Sequence, residues 1–336
     1  MPGSTSPYST KKNETINTLV REVNGLGTLR IPFVLIVDFD LQNYYLCPSE
    51  ELIHSNELMI QFPGFSNVLP DRSIKPFFLK QKKTSFKKYK EAYDIVIQHL
   101  HKGNSFLVNL TGSTPVQVEG SLKDLFYQAQ APYKLWFKDQ WVCFSPETFI
   151  KIVRNKIYSF PMKGTIDATI PAARKLLLEN KKETAEHHTI VDLIRNDLNL
   201  ISTDVKVEKF RYIKKIKTSG KDLLQASSKI SGTLPKNFHR QLGEILISLL
   251  PAGSISGAPK SKTIEIIQEA EKHKRGFYTG VCFVYDGKGL DSCVLIRFVQ
   301  KSGKGYVYKS GGGITIHSDA EQEFQELLDK IYVPVV

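Results

Sequence analysis

Short runs of β-branched and aromatic residues, separated by polar turn residues, dominate the hydrophobic pattern at the start of this chain. They predict strands at residues 33–39, 43–46 and 58–62. Between Tyr89 and Leu100 the apolar residues recur at helical spacing, which predicts an amphipathic helix over residues 84–101. The chain therefore begins with several strands and continues with a helix that has one apolar face.

The same patterns continue to the C-terminus. Predicted strands lie at residues 105–110, 134–144, 148–152, 205–212 and 223–230. Predicted helices lie at residues 122–128, 171–195, 238–250 and 262–271. A three-strand meander is predicted for residues 277–285, 292–300 and 305–309. Because strands and helices occur in clusters and do not alternate strictly, the pattern predicts an α+β fold with large antiparallel sheets.

The segment SFPMKGTID, residues 159–167, places one basic residue between a proline and a Gly-Thr pair. β-prone residues precede it, so we predict that Lys163 lies where a strand gives way to a loop. Pro161 fixes its own φ, and Gly164 permits unusual backbone dihedrals, so the amine can be held in one direction. Judged from this segment alone, an ordinary lysine in a turn remains the alternative.

Two pairs of glutamates share the same spacing on predicted helices. Glu183 and Glu186 are three residues apart, as are Glu323 and Glu326, so each pair projects from one helix face. If the pairs converge, they form an all-oxygen site suited to Mg²⁺. The alternative is two exposed acidic faces on unrelated helices.

Two further segments are rich in small residues. PAGSISGAPK, residues 251–260, leads into a helix whose free backbone donors favour an anion, although it lacks the spacing of a nucleotide P-loop. Gly311, Gly312 and Gly313, the glycine run, lack side chains that would keep a carboxylate from their backbone N–H groups.

Composition narrows the class of protein. The 336 residues are 41% hydrophobic and 24% charged, as in soluble globular proteins. No stretch approaches the roughly eighteen consecutive apolar residues of a membrane span, and the N-terminus lacks the apolar centre of an export signal. The four cysteines have no C-x-x-C spacing. We therefore predict a cytoplasmic protein with free thiols and no membrane association.

The net charge of +12 is compatible with nucleic acid, a small polyanionic substrate or an acidic protein partner. The lysines are dispersed along the chain, and no zinc knuckle, RNP motif or basic heptad region is present. The pattern favours a small substrate or an acidic partner over nucleic acid.

Taken together, the segments resemble the chorismate-utilising enzymes from about residue 103 to residue 330. The matching segments are GNSFLVNLT, SPETF, PMKGT, ETAEHHTIVDLIRNDL, SSKISGTL, GSISGAPK, GFYTG, VLIRF, GGGI and EQEFQE, all in family order. The resemblance implies antiparallel sheets sandwiched together with helices packed outside. It also implies a chorismate-binding catalytic region at residues 102–336 and a less diagnostic β-rich part of the same globule at residues 1–101.

Within this family, the residue at the position of Lys163 separates the activities. The form P-x-K-G-T resembles the aminodeoxychorismate synthases, whereas anthranilate synthases usually have alanine there. The resemblance implies conversion of chorismate and ammonia to 4-amino-4-deoxychorismate, the precursor of p-aminobenzoate and folate. Lys163 would attack ring C2 of chorismate, and Glu147 would protonate the C4 hydroxyl as it leaves.

The resemblance also assigns the metal and substrate sites. Glu186 and Glu326 would bind Mg²⁺, with Glu183 and Glu323 beside them or acting through water. Gly164 and Thr165 would line the substrate ring. The groups that would hold the substrate's carboxylates are Tyr278, Arg297, Gly311, Gly312 and Gly313.

Two features qualify this assignment. Gln225 stands where many relatives carry a histidine. No glutaminase nucleophile motif is present, so ammonia would come from solution or from a separate glutamine amidotransferase subunit. The alternatives are an anthranilate, isochorismate or salicylate synthase of the same family, or a catalytically silent protein that binds anions or nucleic acid.

Overall fold

The computed structural model describes residues 7–53, 55–71, 73–216 and 222–334. Its strands are β1 (Phe33–Val37), β2 (Tyr44–Pro48), β3 (Leu58–Phe62), β4 (Phe65–Ser66), β5 (Phe78–Gln81), β6 (Leu107–Glu119), β7 (Tyr133–Phe137), β8 (Trp141–Ser145), β9 (Thr148–Val153), β10 (Lys156–Ser159), β11 (Met162–Asp167), β12 (Thr203–Ile216), β13 (Leu223–Thr233), β14 (Gly257–Ala258), β15 (Val281–Tyr285), β16 (Leu290–Val294), β17 (Phe298–Ser302) and β18 (Gly305–Ile314).

The helices are α1 (Pro7–Leu29), α2 (Ser49–Leu52), α3 (Phe86–His101), α4 (Leu122–Gln128), α5 (Ala173–Glu179), α6 (Lys181–Asn199), α7 (Leu242–Ser248), α8 (Gly253–Ser256), α9 (Lys260–Ala270) and α10 (Ala320–Asp329). A 3₁₀ helix, Phe238–Gln241, precedes α7. None of the helices in the described residues is long and apolar enough to cross a membrane.

Within the described ranges the strands form two antiparallel sheets of nine strands each. Sheet A has the order β11-β13-β10-β9-β16-β15-β1-β2, with β12 also paired to β13. Sheet B has the order β14-β6-β18-β17-β8-β7-β3-β4, with β5 also paired to β6. The predicted α+β fold with large antiparallel sheets is confirmed.

The strand β1 shows how the layers pack, because all five of its residues are buried. Val34 and Ile36 join a core between the two sheets, where they meet Leu58 and Leu135 of sheet B. The alternate residues of β1 face a second core that includes side chains of α3, α6, α7 and α9. Side chains alternate between the faces of a strand, so a continuous apolar run fits a strand buried on both faces.

Several predicted elements differ from those observed. The predicted strand at residues 134–144 is a hairpin of β7 and β8, turning at Lys138 and Asp139, which both have positive φ. The predicted helix at residues 171–195 is two helices, because the extended backbone of Asn180 separates α5 from α6. The predicted meander is also wrong: β15 and β16 belong to sheet A, whereas β17 and β18 belong to sheet B. The chain crosses between sheets at residues 295–297.

The four cysteines are free and buried, as predicted. Burial raises the pKa of the Cys143, Cys282 and Cys293 thiols, with Cys282 directly opposite Cys293 in the pairing of β15 and β16. Thiols held in the neutral form in a core are poor nucleophiles and poor metal ligands. Their role here is packing.

Candidate active site

A cavity of about 580 Å³ lies where β11 and β13 of sheet A face β18 of sheet B, with α6 and α10 at its sides. Of the residues assigned to a site from the sequence, the structure brings together Glu147, Lys163, Gly164, Thr165, Glu183, Glu186, Tyr278, Arg297, Gly311, Gly312, Gly313 and Glu326 along this cavity. Glu323 is buried just behind the cavity wall. Side chains far apart in the sequence therefore share one cavity.

Lys163 lies within β11, so the prediction that it lies where a strand gives way to a loop is wrong. The pairing with β13 places Met162 opposite Ser227 and Thr165 opposite Gln225, with a bulge between them. A bulge inserts an extra residue and turns side chains in a new direction without ending the strand. Gly164 has a positive φ of 79° within this bulge. A glycine after a strand pattern also occurs in turns, which is why the sequence predicted the end of a strand here.

The Lys163 ammonium group is held inside the cavity. Its Nζ donates a hydrogen bond to Glu186 Oε2 at 3.3 Å, and the side chain is only 17% exposed. A β-carbon built on Gly313 would lie 2.9 Å from the same Nζ, so a side chain there would displace the lysine amine from this position. Lys163 is thus directed at the glycine run of the opposite sheet.

Glu147 lies between β8 and β9 and turns its carboxyl group into the cavity. Ser254 Oγ donates a hydrogen bond of 2.6 Å to Glu147 Oε1. Desolvation raises the pKa of Glu147, although Ser254, Lys163 and Arg297 each act in the opposite direction. A carboxyl group that keeps its proton in a cavity can serve as a general acid.

The two glutamate pairs approach the glycine run from different helices. A β-carbon built on Gly313 would lie 3.5 Å from Glu186 Oε2 of α6. One built on Gly312 would lie 3.5 Å from Glu323 Oε2 and 3.8 Å from Glu326 Oε1 of α10. Adjacent glycines therefore meet carboxylates from both helices, so the pairs line one region of the cavity.

These carboxylates are an all-oxygen donor set, the chemistry that suits Mg²⁺. Glu186 Oε2 lies 3.3 Å from Lys163 Nζ, and Glu326 Oε1 forms an ion pair of 2.7 Å with Lys330 Nζ. In this arrangement no three acidic, histidine or cysteine side chains among the described residues converge on one metal position. The ligand types fit a hard cation, and binding would require the two carboxylates to turn from their lysines.

The glycine run is part of β18 and not a turn after a strand. β6 pairs with it along one edge, where Gly311, Gly312 and Gly313 face residues 109–111. On the other edge, the described pairing with β17 ends where Phe298 faces Lys309. The glycine run lines the cavity, where a backbone N–H group that is not paired with a strand can donate to a bound anion.

Arg297 is the last residue of the crossing between the sheets and has a positive φ of 56°. Its guanidinium stacks over Tyr332, 4.8 Å from the ring centroid, and its Nη1 donates to the Lys330 carbonyl at 3.3 Å. Its Nε is buried and has no hydrogen-bond partner among the described residues. Tyr278 is buried beside this group, and desolvation raises the pKa of its phenol.

Sequence reasoning missed three residues that line the cavity: Ser254, Lys309 and Lys330. Lys309 is buried, and its Nζ donates to the carbonyl groups of Lys274 and Arg275, while desolvation lowers its pKa to about 8. Lys330 donates to the Gly311 carbonyl at 2.8 Å. Lys330 could have been found from the sequence, because it lies four residues after Glu326 and residues at that spacing meet on one helix face.

The family model described as chorismate binding enzyme matches residues 48–335. An uncharacterized PabA-like protein from Haemophilus influenzae is 46% identical over 96% of this chain and 98% of its own length. The aminodeoxychorismate synthase component 1 of Salmonella typhimurium is 31% identical over 72% of this chain and 56% of its own length.

Solved structures show the same fold. Anthranilate synthase component I from Streptococcus pneumoniae has a TM-score of 0.64 and 26% identity, covering 78% of this chain and 60% of its own. The menaquinone-specific isochorismate synthase MenF from Escherichia coli has a TM-score of 0.71 and 15% identity, covering 95% and 81%. At that identity, the likeness to MenF concerns the fold alone.

Proposed function

Because this chain belongs to the chorismate binding enzyme family, we propose that it aminates chorismate to 4-amino-4-deoxychorismate. The observation that carries the proposal is Lys163, whose amine points into the cavity among carboxylates and the glycine run. The 31% identity to an aminodeoxychorismate synthase component 1 supports the same activity. The product feeds the synthesis of p-aminobenzoate and folate.

The first step uses Lys163 and Glu147. Lys163 attacks ring C2 as the neutral amine, so its contact with Glu186 must break and its extra proton must pass to solvent water first. As the bond from Nζ to C2 forms, both conjugated ring double bonds shift and the bond from C4 to oxygen breaks. Glu147 gives its proton to that oxygen, which leaves as water and not as hydroxide.

In the second step ammonia adds at C4 and displaces Lys163 from C2. Ammonia forms a bond to C4 with its lone pair, both ring double bonds shift back, and the Lys163 amine leaves C2 with its electron pair. The new ammonium group on C4 then returns one proton to the Glu147 carboxylate. Glu147 ends protonated and Lys163 ends as the neutral amine that attacked, so the sum is chorismate plus ammonia giving aminodeoxychorismate plus water.

The cavity also holds the charge of the substrate. Chorismate carries two carboxylates, and burying them requires positive partners. Arg297, Lys330 and the backbone N–H groups of the glycine run are the groups of this chain that would bind them. In this proposal Glu183, Glu186, Glu323 and Glu326 would hold Mg²⁺, which supplies further positive charge beside the substrate.

The metal proposal predicts that Glu326→Gln raises the Mg²⁺ concentration needed for half-maximal activity by at least about tenfold. An amide is a weaker ligand for a hard cation than a carboxylate. Glu321→Gln is the matched control, because Glu321 is an exposed glutamate on the same helix. Mg²⁺ titrations at fixed chorismate give the comparison, and full activity in excess chelator would refute the metal site.

The proposed function is tested by supplying chorismate, Mg²⁺ and a nitrogen source, then identifying the product by mass spectrometry with and without an added aminodeoxychorismate lyase. Ammonium is expected to give 4-amino-4-deoxychorismate, whereas glutamine alone gives none. In the proposal, a separate glutamine amidotransferase supplies ammonia from glutamine. Anthranilate, isochorismate or salicylate as the main product would refute the proposal, and glutamine-dependent product from pure protein would refute the need for a partner.

A further inference from the structure

A second, smaller cavity of about 20 Å³ adjoins the cavity of the candidate active site. In the part of the chain that the structure describes, Glu147 and Ser254 are the two residues that line both cavities. The Glu147 side chain therefore has space on two sides. A carboxyl group in that place can face the substrate or turn away from it, unless another group holds it.

The Ser254 hydroxyl is the group that holds it. Its Oγ donates to Glu147 Oε1 at 2.6 Å, and no other hydrogen-bond partner of this carboxyl group is present among the described residues. The other hydrogen bonds of Glu147 involve its backbone: the N–H donates to Ser145 Oγ at 3.1 Å, and the carbonyl accepts from the Val294 N–H at 3.2 Å. Ser145 and Val294 fix the backbone, so the direction of the carboxyl group depends on Ser254.

Ser254 is itself fixed by the short helix α8. The buried Arg275 guanidinium donates to the Ile255 carbonyl at 2.8 Å, and Ser256 Oγ donates to the Ala252 carbonyl at 2.9 Å. A glutamate side chain loses much rotamer freedom when it is held in one direction, so it needs a partner that does not move with it. A hydroxyl on an anchored helix is such a partner.

The same hydrogen bond decides which carboxyl oxygen carries the proton. A protonated carboxyl group has one O–H donor and one oxygen that only accepts. When Ser254 donates to Oε1, the proton of Glu147 is on Oε2 and is left for the oxygen that departs from C4. In the reverse arrangement Glu147 would donate to Ser254, and its proton would not reach the leaving group. Acid catalysis therefore requires Ser254 to be the donor.

We propose that Ser254 is the positioning residue of the general acid: its hydroxyl holds the Glu147 carboxyl group toward the substrate and leaves the proton on Oε2. The proposal rests on the proposed function and adds a residue that acts through Glu147. It requires a hydroxyl at this position and predicts that threonine can replace serine.

The first test is Ser254→Ala, which removes one oxygen atom. The kcat is expected to fall about five- to twentyfold, the effect of losing one hydrogen bond, while the KM for chorismate stays within about twofold of the parental value. Ser254→Thr keeps the hydroxyl and is expected to keep the parental kcat within about threefold. Ser261→Ala is the matched control, because Ser261 is an exposed serine on α9.

The pH profile separates a positioning role from a purely structural one. Desolvation raises the pKa of Glu147, and the hydrogen bond from Ser254 acts against that rise because it favours the charged carboxylate. In Ser254→Ala the alkaline decline of kcat is therefore expected about one pH unit higher, whereas Ser254→Thr keeps the parental profile. The substitution leaves in place the other titratable groups that face Glu147, which are Lys163, Arg297 and Lys330 in the active-site cavity, Asp197 with its partner Lys260 at the smaller cavity, and the buried Cys293 thiol.

A double variant tests whether Ser254 acts through Glu147. Ser254→Ala combined with Glu147→Gln is expected to have the kcat of Glu147→Gln within about twofold, because no proton remains to be positioned. A further loss as large as that of Ser254→Ala alone would mean that the hydroxyl acts on something else, and it would overturn the inference.

Failure of this inference can be told apart from failure of the proposed function, because each assay follows chorismate consumption as well as the product. If the parental protein consumes no chorismate with ammonium, both are overturned. If it forms anthranilate or isochorismate, only the proposed function is overturned, since these reactions also expel the C4 hydroxyl and the pH profiles still decide the role of Ser254. If aminodeoxychorismate forms and Ser254→Ala keeps the parental kcat or the parental pH profile, only the inference is overturned.

Discussion

Lys163→Ala is expected to lose 4-amino-4-deoxychorismate formation by more than about 10³-fold, the scale of removing a covalent nucleophile. The physical reason is regiochemical: the para product requires a group that occupies C2 and is then displaced. Alanine leaves C2 open to water or ammonia, so any residual product is expected to be ortho-substituted. Product analysis by mass spectrometry gives the measurement.

The same variant is expected to lose the covalent intermediate. With chorismate present and ammonia withheld, the parental protein should gain a chorismate-derived mass that peptide mapping places on Lys163. Lys163→Arg keeps the positive charge beside Glu186 but offers no displaceable amine, so it should fail as well. Lys156→Ala is the control, because Lys156 is an exposed lysine on β10, the strand that precedes β11 in the chain. Near-parental para amination by Lys163→Ala would overturn the assignment of Lys163 as the nucleophile.

Glu147→Gln is expected to lower kcat by about 10²- to 10⁴-fold, the usual contribution of a general acid. The amide keeps the hydrogen bond from Ser254 but has no proton to give to the leaving oxygen. Parental activity that requires protonated Glu147 is lost as the pH rises through its raised pKa. This alkaline decline should be absent from the residual activity of Glu147→Gln, and an unchanged decline would point to a different acid.

Glu147→Gln should also raise the free energy of unfolding at alkaline pH, although it lowers activity. Because the pKa of Glu147 is raised in the fold, the unfolded chain releases this proton at a lower pH than the folded chain. Stability from this group therefore falls as the pH rises from the unfolded to the folded pKa. We expect Glu147→Gln to exceed the parental stability at about pH 8 and not at about pH 5, by urea unfolding, whereas exposed Glu50→Gln should show no such difference.

Elements with a strong local pattern could be predicted from the sequence. The strand Leu58–Phe62 and the helix Leu122–Gln128 have the predicted bounds. The Ser121 hydroxyl accepts a hydrogen bond from the Asp124 backbone N–H, and the Asp124 carboxylate accepts one from the Ser121 backbone N–H. The residues that start this helix are therefore only three positions apart. Elements interrupted by a bulge or a turn, such as β11 and the hairpin of β7 and β8, were misjudged because strand pairing overrides local propensity.

Some features of the candidate site also follow from local sequence patterns, whereas others depend on how distant segments pack. The spacing of Glu183 and Glu186 puts both on one helix face, and the glycine after Lys163 frees the backbone there, which the sequence alone determines. Their meeting with Glu326 does not follow from any local pattern, since 140 residues of chain separate Glu186 from Glu326. That meeting depends on which strands pair and which faces are buried.

The sequence by itself therefore determined the α+β class, the buried strands and the spacing that puts each glutamate pair on one helix face, because these depend on residue type and short spacing. Only the tertiary structure decided that Lys163 faces the glycine run, that desolvation raises the pKa of Glu147, and that the buried Gln225 Oε1 has no hydrogen-bond partner among the described residues. Proton affinity and unmet hydrogen bonds are set by what surrounds a group after folding. Those surroundings come from segments that are distant along the chain.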